Sequence, residues 1–134
     1  MPKKKSLRFQ PIAVVGRGCV LPGASNVEEL WKVLSDQQVE ISSGSEDNWR
    51  VDQDRLTSYN DGEFTPDKMW STQGGYVRGF DDSFDSNQFE LSADLLQNLD
   101  PVFLWSLEAA RQAKAEVTTK FSAARSGVVL GNLS

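Results

Sequence analysis

The stretch IAVVGRGCVLPGASNVEELWKVL, residues 12–34, constrains the fold more than any other part of the chain, because it places a β-branched run, a glycine turn and an amphipathic helix in immediate succession. Residues 12–15 are apolar on both faces, as a central parallel strand covered above and below would be. Ser25 and Glu28 stand at capping-box spacing. Val27, Leu30, Trp31 and Leu34 recur at i, i+3, i+4 and i+7, so the spacing predicts a helix of about three turns with its apolar stripe packed on the strand.

Strand, glycine turn and helix is also how many phosphate-binding loops begin, and the spacing tests that reading. A dinucleotide fingerprint needs a third glycine where Leu21 stands, and the leucine side chain obstructs close helix–strand packing. Gly18, Gly23 and Ser25 match a P-loop except at its lysine, which is Ala24 here. Without that ammonium only backbone donors remain, and Pro22 removes one of them. A structural strand-to-helix turn is the reading that survives.

At 134 residues and 39% hydrophobic content the chain has the size of one globular domain. Lys3, Lys4, Lys5 and Arg8 concentrate positive charge in residues 1–10, which read as a flexible basic arm. The remainder carries 10 basic against 19 acidic side chains, a balance of −9, so a nucleic-acid surface is not expected. The apolar run 12–15 is much too short for a signal h-region or a membrane span, and with one cysteine no intrachain disulfide forms, so the expected location is the cytoplasm.

Residues 11–134 form the expected domain, interrupted at 42–75 by an irregular surface excursion rich in Asp, Ser and Gly. Its single aromatics, Trp49, Tyr59, Phe64 and Trp70, are expected to pin it to the core. Residues 76–80 read as a short strand, and Ser92 as the cap of a helix carrying Leu95, Leu96 and Leu99. Asp100 before Pro101 starts a core helix reaching about Glu116, with Ala109, Ala110 and Ala113 leaving a smooth surface for a close neighbour. SGVVLGN, residues 126–132, reads as a second buried strand.

The chemical inventory is sparse. No histidine is present, which removes Ser-His, Cys-His and histidine metal constellations. Cys19 reads as a buried structural thiol, with Arg17 the one local group that could lower its pKa. Asp81, Ser83 and Asp85 begin a calcium-loop pattern, but Ser86 and Ser92 occupy the positions of its glycine and glutamate. The residues therefore supply no catalytic, cofactor-binding or metal-binding candidate.

Taken in order, IAVVGRGCVLPGASNVEELWKVL, Trp49 with Asp52, GGYVRGFDDSFDSNQF with Phe80, Phe84 and Phe89, the Leu99–Asp100–Pro101 triplet and SGVVLGN resemble the opening of the β-ketoacyl synthase family of fatty acid and polyketide synthesis. The resemblance spans residues 11–133. It implies an α/β fold, the start of the N-terminal half of a thiolase-like αβαβα sandwich, in which the glycine turn is structural and holds no phosphate. It also implies a parent that performs decarboxylative Claisen condensation on phosphopantetheine-linked acyl thioesters, using one cysteine and two histidines. Cys19 does not match that cysteine, and this chain alone is expected to be inactive and to bind no cofactor. Implied partners are the remainder of the ketosynthase domain, a second copy in a homodimer of the parent, and an acyl carrier protein; no nucleic acid or membrane is implied. Val102, Phe103 and Leu104 stand where modular polyketide synthases commonly carry Gln-Gln-Arg, which leaves the fatty acid and polyketide branches both open. A non-catalytic ketosynthase-like scaffold subunit is the alternative.

Overall fold

The computed structural model describes residues 11–45, 49, 52–58, 66–120 and 122–131; the basic arm, Tyr59, Phe64 and Asn132 lie outside these. Residues 11–20 form no regular element and have no ladder partners among the described residues, and Ile12, Val14 and Val15 are 95%, 82% and 59% exposed. The expected buried strand is therefore an open, unpaired segment. A strand is defined by ladder hydrogen bonds to a neighbour, and none is made here among the described residues. Residues 126–131 repeat the finding: the second expected strand makes no ladder among the described residues, with Val128, Val129 and Leu130 exposed and nothing within 4 Å of a Cβ placed at Gly127 or Gly131.

Between the open run and the first helix, Leu21 and Ala24 exchange two backbone hydrogen bonds of 2.8 and 3.0 Å. Pro22 and Gly23 (φ 72°) sit at the centre, the arrangement of a type II turn, which uses proline's fixed φ and glycine's left-handed freedom. Helix α1, Val27–Ser35, starts one residue later than Ser25 predicts: the Asn26 side chain accepts from the Glu29 amide at 2.9 Å, and Glu29 reaches back to the Ser25 amide at 2.7 Å. Its stripe is only partly covered, since Trp31 and Leu34 face solvent.

The excursion is closed at its ends. Strand β1, Ile41–Ser43, pairs antiparallel with β2, Gln73–Gly75, in the register Ile41↔Gly75, Ser42↔Gly74 and Ser43↔Gln73. Helix α2, Gln53–Leu56, is capped by Asp52, and a further bridge joins Thr57 to Met69. Trp49 packs against Gly44, where an added Cβ would lie 2.2 Å from the indole nitrogen. Trp70, by contrast, is exposed and pins nothing. The strand expected at 76–80 lies instead at β2. Tyr76 turns its hydroxyl back onto the Thr72 carbonyl at 2.8 Å, and Gly79 (φ 68°) breaks the extended run to enter α3, Phe80–Ser83.

Ala24, Phe80 and Leu96 are the buried hydrophobic residues among those described. Phe80, Phe84 and Phe89 stack in series with ring centroids 5.1 and 5.3 Å apart. Helix α4, Ala93–Gln97, is capped by the Ser92 hydroxyl, and α5, Pro101–Ala115, by Asp100, as the sequence indicates. Rather than a fully enclosed core element, α5 is half-buried, with Phe103 exposed. Short 3-10 turns at Ser86–Gln88 and Ala123–Arg125 complete the described elements.

Candidate functional site

The glycine turn sits directly on the second half of α5. A Cβ at Gly16 would lie 1.9 Å from the Ala113 carbonyl oxygen, and one at Gly18 2.1 Å from that of Ala109. The alanines thus provide the smooth surface expected of them, and glycine is required here for close approach of two backbones.

Polar bonds lock the contact. Gln112 is the hinge of the network: its Oε1 accepts from the Cys19 amide at 3.2 Å, and its Nε2 donates to the Ser25 carbonyl at 2.7 Å and to Glu108 Oε1 at 3.1 Å. Glu108 also accepts from Arg111 through both carboxylate oxygens, at 2.8 and 2.6 Å. The Arg111 guanidinium, with help from Gln112, holds the Glu108 carboxyl below the usual range although burial opposes this. One turn further on, Glu116 accepts from the Arg17 amide at 2.9 Å and from its guanidinium at 3.3 Å, and Arg17 lowers its pKa.

Cys19 lies within this arrangement, half-buried. Burial first, and then the Glu28 and Glu29 carboxylates, push its thiol above the ordinary value. Arg17, expected as the group that could favour the thiolate, is committed to Glu116 instead. The thiol is kept protonated, the opposite of what a nucleophilic cysteine requires. The spacing of Glu108, Arg111 and Gln112 on one helix face was legible as i, i+3 and i+4, whereas the pairing of Arg17 with Glu116 carries no local signal.

Two hollows flank the lock. One of about 280 Å³ lies between the start of α1, α3 and α5, lined by Asn26, Glu29, Ser83, Glu108 and Arg111. The other, about 820 Å³ and open, lies between residues 76–79 and the start of α5 at Asp100, Pro101 and Trp105. Asp85, from the incomplete calcium pattern, caps its own 3-10 turn, and its pKa is lowered by hydrogen bonds from Gln88 and Asn87. Among the described residues, no three His, Cys, Asp or Glu side chains group as metal ligands, and no helix is long and apolar enough to cross a membrane.

Comparison with known proteins brings these features together. The family model described as Beta-ketoacyl synthase, N-terminal domain, matches residues 9–133. The non-reducing polyketide synthase pks12 of Talaromyces marneffei is 36% identical over 105 residues, covering 76% of this chain and 6% of that protein. A phenolphthiocerol/phthiocerol polyketide synthase of Mycobacterium tuberculosis is 31% identical over 106 residues, covering 78% and 5%. The solved structure titled PfaC Keto synthase-Chain length factor superimposes with a TM-score of 0.66 at 32% identity, over 78% of this chain and 11% of that one. The chain thus spans only a small fraction of each relative's length. The architecture is α/β and thiolase-like in part, corresponding to the start of the N-terminal half of the sandwich. With a family match over nearly all its residues and relatives that are polyketide synthases, the chain belongs to the β-ketoacyl synthase family, as an N-terminal ketosynthase segment.

Proposed function

We propose that these residues build the condensing fold of a polyketide synthase ketosynthase without themselves carrying the acyl chain. The observation that supports this is the lock on α5: the Cys19 amide is bound to Gln112, burial and then the Glu28 and Glu29 carboxylates raise the pKa of the one thiol, and the chain has no histidine to act on it. In the complete domain, a cysteine thiolate supplied elsewhere takes the acyl group from a phosphopantetheine-linked thioester and releases the carrier thiol. A malonyl thioester then loses carbon dioxide, and the resulting carbanion attacks the acyl–cysteine, freeing the enzyme thiol. The partners of such a domain are an acyl carrier protein and a second copy of the ketosynthase, in the cytoplasm.

Intact-protein mass spectrometry tests the assignment. Incubated with an acyl-carrier thioester, the 134-residue chain is expected to form no acyl adduct, and to release no carbon dioxide from a malonyl thioester. An adduct abolished by Cys19→Ala overturns it.

A non-catalytic scaffold role is the second reading, favoured by the solved neighbour whose title pairs a keto synthase with a chain length factor. Restoring the rest of a ketosynthase domain around this chain discriminates the two, since only the first reading yields condensation.

A further inference from the structure

We draw no further inference here: the strongest candidate, the patch of exposed apolar side chains running from Trp31 and Leu34 on α1 to Val39 and Ile41 at the start of β1, carries nothing because nothing in the structure shows what covers it.

Discussion

A side chain at Gly16 would have to enter space filled by the Ala113 carbonyl, 1.9 Å from the ideal Cβ position, and neither backbone can yield without dragging the turn or the helix. Gly16→Val is therefore expected to destabilise the chain by about 3 kcal/mol or more, a severe case of overpacking. Gly127→Ala, in open space, should shift stability by no more than about 0.5 kcal/mol. Urea midpoints for the two variants check the contrast, and equal effects would remove the account of the lock. Gly16, Gly18 and the alanine face of α5 were each visible in the sequence. Which glycine would meet which alanine was not, because that is set by the crossing of two elements far apart in the chain.

At the scale of elements, legibility followed the range of the forces involved. Helix α5 could be placed almost to the residue because Asp100 and Pro101 fix its start locally, and Ser92 does the same for α4. Runs 12–15 and 126–131 carry strand chemistry but no strand, since a ladder needs hydrogen bonds to a neighbouring segment and neither run makes them among the described residues. Strands β1 and β2 were missed for the converse reason: Ile41–Ser43 and Gln73–Gly75 have little strand propensity and are paired by the closure of the excursion. The charged side of α5 adds a pH dependence. Glu108 binds its proton less tightly when folded than when unfolded, so its contribution to stability is complete above the ordinary glutamate pKa of about 4.3 and drains away as pH falls through the lower folded value. Glu108→Gln should accordingly lower the urea midpoint at pH 7 and converge on the parent chain in strong acid. A difference that persists unchanged at low pH would place the effect in packing rather than charge.

For the molecule as a whole, the uncovered apolar surface dictates behaviour in solution. Trp31, Leu34, Val39 and Trp70 are all more than 60% exposed, in addition to the two open runs. The isolated chain is expected to self-associate without fixed stoichiometry, its weight-average mass in sedimentation equilibrium rising with concentration. A clean monomer across a wide range would show that these side chains find cover within the chain.

The double closure of the excursion, by β1 with β2 and again by Thr57 with Met69, makes its interior a ring in the sense of polymer theory. The entropy of joining the ends of a ring grows only with the logarithm of its contour, so doubling the segment between Thr57 and Met69 costs about 0.6 kcal/mol. A Gly/Ser insertion beside Asp67, an exposed residue already at φ 60°, should leave the urea midpoint nearly unchanged. A loss above about 2 kcal/mol would mean that the ring is packed rather than merely closed. Such a site could carry a reporter or an added binding module, with α5 and the turn it grips left undisturbed.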